Sequence, residues 1–126
     1  MQLVFDIETD GFLEEMTTCH VLICQDVITK KIYRYTDQPN DTPIKIGLDL
    51  MSKADALIGH NIIGFDLMGL EKLFNWRPSS HTALIDTWVM SQVLRYNRPH
   101  RHGLAGWGKH LGFKKMDNTE WANEGF

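Results

Sequence analysis

The sequence predicts an α/β protein built on a mixed sheet. Short apolar segments rich in β-branched and aromatic residues alternate with segments of helical periodicity, in the order β-β-β-α-β-α-β-α-α. The first three predicted strands follow one another through turns, which favours antiparallel pairing. Helices separate the later strands, which favours parallel pairing through right-handed crossovers. A chain of 126 residues, 43% of them hydrophobic, is sufficient for one domain, residues 1–126, with its own core.

The predicted elements have clear boundaries. Strands are expected over residues 4–9, 19–28 and 31–35, with turns at Asp10-Gly11 and Thr29-Lys30. A polar loop over residues 36–43 precedes a helix over residues 44–53 with Ile44, Leu48 and Met51 at helical spacing. The remaining elements are strands over residues 56–60 and 83–85 and helices over residues 66–74, 88–94 and 104–111, the last ended by Gly112.

Composition excludes several classes of protein. The formal net charge of -3 gives no overall attraction for nucleic acid, and no stretch approaches the roughly 18 apolar residues of a membrane span. Cys19 and Cys24 lie five residues apart, so on one strand they would face opposite sides. We therefore expect neither a disulfide nor a zinc site, and a cytoplasmic location (the host cytoplasm if the protein is viral).

The first strand carries two carboxylates, Asp6 and Glu8. Residues i and i+2 of a strand point to the same face, so the two acids project side by side. The apolar neighbours predict a buried strand, where two like charges are costly unless a cation joins them. Carboxylate oxygens favour Mg²⁺ or Mn²⁺. The alternative is a pair of solvated acids at the end of a strand.

A second acidic segment follows the fourth strand. Residues 59–67 leave that strand, turn, and begin a helix at Asp66. The three carboxylates of Asp6, Glu8 and Asp66 could converge on one cleft. Taken singly, Asp66 could be a helix cap, stabilised by about 0.3–1 kcal/mol. Asn61 could be a turn former and Phe65 a core residue.

These segments resemble the DEDD 3′–5′ exonucleases. Residues 5–9 (FDIET) are similar to the first motif of that superfamily, and residues 61–66 (NIIGFD) to the second. Residues 85–91 (IDTWVMS) and 103–112 (GLAGWGKHLG) also fit. The chain looks most like the proofreading domain of family A DNA polymerases, especially the replicative polymerases of short-tailed bacteriophages. The resemblance implies an RNase H-like fold, with three antiparallel strands extended by parallel strands and flanked by helices.

The resemblance also implies a two-metal phosphodiesterase acting on the 3′ end of single-stranded DNA. Asp6 would contact both Mg²⁺ or Mn²⁺ ions, Glu8 the ion that carries the attacking water, and Asp66 the second ion. Thr9, Asn61 and Phe65 would line the terminal nucleotide. Asp86 is expected to cap its helix rather than to bind metal.

Basic residues offer a further contact with the substrate. Arg98 and Arg101 belong to the basic cluster of residues 95–102, which could contact the phosphates of an entering strand. A solvated basic loop is the alternative.

One element of the resemblance is missing. The superfamily carries a fourth carboxylate on a late helix, as Tyr-x-x-x-Asp or His-x-x-x-Asp, and residues 113–126 contain neither pattern. Asp117 follows Phe113 at that spacing, and Tyr33 with Asp37 lies on an early strand. We therefore expect the C-terminal helix of the domain to be missing, metal binding to be weak, and the chain alone to have little or no nuclease activity.

Two functions remain open from the sequence. The chain could be the exonuclease portion of a DNA polymerase, completed by a separately encoded chain that supplies the missing aspartate. It could instead be a catalytically inactive RNase H-like module that binds single-stranded DNA or another polymerase fragment.

Overall fold

The protein contains a five-stranded mixed sheet, as the sequence predicts. The computed structural model describes residues 1–95, 97 and 102–113. The strands are β1 (Gln2–Thr9), β2 (Cys19–Asp26), β3 (Ile32–Thr36), β4 (Ala56–Gly59) and β5 (Ala83–Asp86). They lie in the order β3-β2-β1-β4-β5. β1, β2 and β3 pair antiparallel, and β4 and β5 extend the sheet through parallel pairing.

The helices follow the predicted order with one difference. They are α1 (Ile44–Ser52), α2 (Leu67–Phe74), α3 (Thr87–Leu94) and α4 (Leu104–Leu111). A π-helical turn, Ile62–Asp66, precedes α2, where the sequence predicts a loop that leads directly into the helix. Such turns are rare and concentrate at functional sites. None of the helices in the described residues is long and apolar enough to span a membrane.

The core lies on one face of the sheet. Leu3, Phe5 and Ile7 alternate along β1 and are buried, because α1 and α2 contribute apolar side chains to the same cluster. These helical residues are spaced three or four apart, as in Ile44, Leu48 and Met51. Both cysteines, Cys19 and Cys24, are buried and free, and burial raises the pKa of each thiol to about 12. The expectation that the two cysteines face opposite sides of their strand is wrong, because the register of β1 and β2 shifts between Glu8 and Thr9 and both cysteines belong to the same buried cluster.

The chain divides into two compact units, residues 1–89 and a second that begins at Met90. The sheet, α1 and α2 belong to the first unit. In the second unit, the indole N–H of Trp107 donates to Ser91 Oγ at 2.6 Å, and Ser91 Oγ lies 2.6 Å from His102 Nδ1. The buried Ser91 hydroxyl thereby joins α3 to α4. That residues 1–126 form a single domain stays a prediction.

Helix α1 approaches the sheet so closely that Gly47 has no room for a side chain. A Cβ atom at this position would lie 2.5 Å from Tyr35 Cδ2 and 2.6 Å from Leu22 Cδ2. Both neighbours are buried, so neither can move away without disturbing the core. The absence of a side chain at Gly47 therefore sets the distance between α1 and the strands β2 and β3.

We expect Gly47→Val to lower the free energy of unfolding by about 1–3 kcal/mol, because the added methyl groups overpack a filled core. Asp49→Val, at an exposed position of the same helix, measures the cost of a β-branched residue without the clash. Urea unfolding followed by circular dichroism gives both values. A Gly47→Val protein no less stable than Asp49→Val would contradict this account of the packing.

Candidate metal and catalytic site

The two acids of β1 lie on the face of the strand opposite the core. Asp6 is exposed and Glu8 is half-buried, whereas Phe5 and Ile7 point into the core. The prediction that they share one face of the strand is confirmed. The expectation that both lie in a low-dielectric setting is wrong for Asp6, because the pleat directs the apolar neighbours, and not the acids, toward the helices.

Asp66 is the buried member of the acidic group. Its side chain is 5% exposed, and its Oδ2 atom accepts a hydrogen bond of 3.3 Å from the backbone N–H of Ile7. Burial and the negative charge of Asp6 raise the pKa of Asp66 to about 7, and the N–H of Ile7 opposes this shift. A hydrogen bond between the two carboxyl groups raises it further. The structure thus brings Asp6 and Asp66 into contact.

The alternative role of Asp66 as a helix cap is wrong. Asp66 directly precedes α2, but its side chain makes no capping hydrogen bond to that helix. The carboxylate instead reaches β1, 59 residues earlier in the chain. A buried acid with a raised pKa beside a second acid is an arrangement typical of functional sites.

Oxygen donors at this position suit a hard divalent cation. Two carboxyl groups held together repel when both are ionised, and a cation between them removes that cost. The Asp6–Asp66 pair meets this requirement. Within the described part of the chain, however, no three His, Cys, Asp or Glu side chains form a metal-binding group. Glu8 and Asp66 both contribute negative charge near Cys19, but Glu8 does not complete a three-carboxylate cluster.

The predicted nucleotide-binding residues occupy different settings. Thr9 ends β1, and its hydroxyl donates to the carbonyl of Gly11 at 2.8 Å. Asn61 lies in the left-handed region at φ 58°, so the turn-forming role is confirmed. Phe65 is half-buried and packs against the core. Contact of these residues with a nucleotide stays a prediction, and Arg98 and Arg101 lie outside the described residues.

Asp86 has a larger role than the sequence indicates. Its Oδ1 atom accepts from the backbone N–H groups of Trp88 and Val89 at 2.9 and 3.3 Å, so the predicted cap of α3 is confirmed. The same side chain also accepts from Asn61 and Ile63, more than twenty residues earlier. Although burial opposes it, these four N–H donors hold the pKa of Asp86 below its ordinary value.

The loop between β1 and β2 presents an aromatic side chain that the sequence analysis missed. Phe12 is 81% exposed and lies four residues after Glu8. The loop is held by Asp10, which accepts from the backbone N–H groups of Thr17 and Thr18 at 2.8 and 3.0 Å. Lys72 of α2 donates to two carbonyl groups of the same loop. The signal in the sequence was an aromatic residue directly after the Asp10-Gly11 turn.

We expect the stability of the metal-free protein to fall between pH 5 and pH 8. The folded-state pKa of Asp66, about 7, exceeds the ordinary value of 3.8, so the folded state binds more protons in this interval. The contribution is complete below pH 3.8 and is lost as the pH rises through 7. It amounts to about 2–3 kcal/mol between pH 5 and 8. Urea unfolding in EDTA across this range measures it.

The comparison for this prediction is Asp66→Asn, which mimics the protonated acid and should show a flatter pH dependence than the unsubstituted protein. Asp49→Asn, on the exposed face of α1, should leave the pH dependence unchanged. Parallel pH profiles for Asp66→Asn and the unsubstituted protein would rule out Asp66 as the titrating group.

No family model matches this chain, and no curated protein matches it by sequence. Solved structures do match its fold. An apo form of a nuclease superposes with a TM-score of 0.69 at 17% identity, over 94% of this chain and 56% of that chain. NrnC of Brucella melitensis matches with bound Mg²⁺ (TM-score 0.67, 20% identity) and bound to pGG (TM-score 0.67, 21% identity). Each of these two matches covers 96% of this chain and 58% of NrnC.

The family B DNA polymerase of the archaeon Pyrobaculum calidifontis matches with a TM-score of 0.63 at 16% identity, over 94% of this chain and 19% of the polymerase. With 56% and 58% of their length covered, this chain spans little more than half of the nucleases that it matches. At these identities the likeness concerns the fold. The protein has an RNase H-like fold, structurally similar to DEDD-type nucleases and to a DNA polymerase.

Proposed function

We propose that the protein is a metal-dependent 3′–5′ exonuclease domain that hydrolyses the terminal phosphodiester bond of single-stranded DNA. The observation that carries this proposal is the contact between exposed Asp6 and buried Asp66. Two carboxylates in contact repel when both are ionised, and a bound cation removes this repulsion. The likeness to nucleases, one of them solved with bound Mg²⁺, supports the same chemistry.

The carboxylates of this chain would hold the metal ions. Asp6, Glu8 and Asp66 would hold the ions, and Mg²⁺ or Mn²⁺ suits these oxygen donors. When bound, the ions would supply a deprotonated water and neutralise the charge that develops on the phosphate. Asp66 must release its proton for a cation to bind, so metal affinity should rise with pH through about 7.

Two aromatic residues that neighbour the acids in sequence, Phe12 and Phe65, would supply a surface for bases. Phe12 is 81% exposed on a loop that Asp10 and Lys72 hold in place, and the half-buried Phe65 directly precedes Asp66 in the chain. Stacking of a base on an aromatic ring is worth about 1–3 kcal/mol and does not depend on the base. Thr9 and Asn61 would contact the terminal nucleotide, and Arg98 and Arg101 the backbone phosphates.

A complete two-metal site would need an acid beyond those that the described residues bring together. The described residues contain no three-ligand cluster, and the chain spans 56–58% of the nucleases that it matches. We propose that the missing acid comes from another segment or from a separately encoded chain. The finer assignment, to the proofreading domain of a family A polymerase of the phage type, rests on the FDIET and NIIGFD segments.

A second function is favoured by the same lack of a three-ligand cluster. The protein would then be an RNase H-like module that binds a single-stranded DNA end, or another polymerase fragment, without cleaving it. Metal binding separates the two functions, because a module that only binds DNA has no need of Asp66 in contact with Asp6.

We expect the protein to bind Mn²⁺ at pH 8, and Asp6→Asn and Asp66→Asn each to weaken that binding at least about tenfold, since each removes a carboxylate ligand. Asp49→Asn is the matched control. Isothermal titration gives the Kd, and release of nucleotides from 3′-labelled single-stranded DNA gives the activity. We expect the activity to be low for this chain alone and to be lost in both variants. Equal Mn²⁺ affinity in all four proteins would refute the proposed site.

We expect Phe12→Ala to weaken the binding of a short single-stranded oligonucleotide by about five- to a hundredfold, because one stacking platform is lost. Phe12→Trp should restore the affinity. The exposed Ile28→Ala, in the turn between β2 and β3, serves as a control for the loss of apolar surface. Fluorescence anisotropy in Ca²⁺ measures affinity without cleavage. An unchanged Kd in Phe12→Ala would exclude Phe12 from the binding surface.

A further inference from the structure

The Asp86 side chain lies between two segments of chain that are distant in sequence. It is 4% exposed, and its Oδ1 atom accepts from the N–H groups of Asn61 at 2.9 Å, Trp88 at 2.9 Å and Val89 at 3.3 Å. Its Oδ2 atom accepts from the N–H of Ile63 at 3.0 Å. A helix cap requires only the bonds to Trp88 and Val89. The other two bonds therefore need a different explanation.

The two remaining bonds hold the turn that follows β4. Asn61 adopts the left-handed conformation, which is uncommon for a residue other than glycine and has to be maintained by its surroundings. Thr87, next to Asp86, adds a hydrogen bond from its hydroxyl to the carbonyl of Gly59 at 3.2 Å. The start of α3 thus fixes both ends of the segment from Gly59 to Ile63.

This turn leads directly to Asp66. The N–H of Phe65 donates to the carbonyl of Asn61 at 3.1 Å, and the N–H of Leu67 donates to the carbonyl of Ile62, which closes the π-helical turn whose last residue is Asp66. The turn is tight, because a Cβ on Gly64 would lie 2.7 Å from Asn61 Oδ1. A shift of the backbone at Asn61 or Ile63 is therefore transmitted to Asp66, three to five residues later.

We propose that Asp86 is a positioning residue for the candidate metal site: through its bonds to Asn61 and Ile63 it holds the turn that places the Asp66 carboxylate against Asp6 and the N–H of Ile7. That the positioned site binds a metal rests on the proposed function. That Asp86 positions Asp66 rests only on the hydrogen bonds of Asp86. Partners of metal ligands that do not themselves touch the metal commonly change metal affinity 10–100-fold when they are replaced.

Two substitutions separate positioning from capping. Serine and asparagine cap helices about as well as aspartate, so both preserve the bonds to α3. Asp86→Ser is too short to reach the turn as well, and Asp86→Asn places an amide N–H₂ opposite the N–H of Ile63. The matched control is Asp26→Ser, since Asp26 accepts from the N–H groups of Ile28 and Thr29 at 2.8 and 2.9 Å in a distant turn.

Two measurements on the full chain test the proposal. We expect Asp86→Ser and Asp86→Asn to raise the Kd for Mn²⁺ at least about tenfold, while Asp26→Ser changes it less than twofold. We also expect faster amide hydrogen exchange at Ile7 in the metal-free Asp86 variants, relative to Leu22 on the neighbouring strand. Circular dichroism confirms folding of each variant before either measurement.

The outcomes are distinct. Unchanged Mn²⁺ affinity and unchanged exchange at Ile7 in folded Asp86→Ser and Asp86→Asn would reduce Asp86 to a helix cap and overturn the proposal. Failure of both variants to fold, with Asp26→Ser folded, would also overturn it, since Asp86 would then support the whole fold. If the unsubstituted protein binds no Mn²⁺, the proposed function fails, and exchange at Ile7 alone still decides whether Asp86 positions Asp66.

Discussion

The hydrogen bond from the Ile7 N–H to the buried Asp66 carboxyl joins the central strand to the turn after β4. It is possible because parallel pairing between β1 and β4 ends at Val4, so the N–H of Ile7 has no partner from β4. Asp66 fills this gap and comes to lie beside Asp6. The candidate site therefore depends on where one pair of strands stops pairing.

The two carboxyl groups in contact have different surroundings, and this difference determines their chemistry. Asp6 is exposed to water, whereas burial and the charge of Asp6 raise the pKa of Asp66 to about 7. A divalent cation would allow both groups to ionise together. Binding of a cation would thus relieve the unfavourable free energy of an ionised Asp66 carboxylate that is buried beside Asp6.

Other aspartates of the same chain use their oxygens for structure. Asp10, Asp26 and Asp86 each accept two or more backbone N–H groups, and hydrogen bonds hold the pKa of each below its ordinary value, for Asp10 chiefly the bond from the Thr17 hydroxyl and for Asp86 against the effect of burial. Such residues fix the loop after β1, the turn between β2 and β3, and the turn that leads to Asp66. Rigid loops of this kind allow a small domain to hold chemically active groups in place.

The local sequence pattern was sufficient to predict the order of strands and helices and the common face of Asp6 and Glu8. These features depend on periodicity and turn residues, which act over a few positions. The alternation of Leu3, Phe5 and Ile7 with Asp6 and Glu8 also indicates which face of β1 is buried. The burial of Asp66 and the second pair of bonds to Asp86 could not be read from local pattern. Each depends on contacts between residues 20 to 60 positions apart, and only the packing of the folded chain decides them.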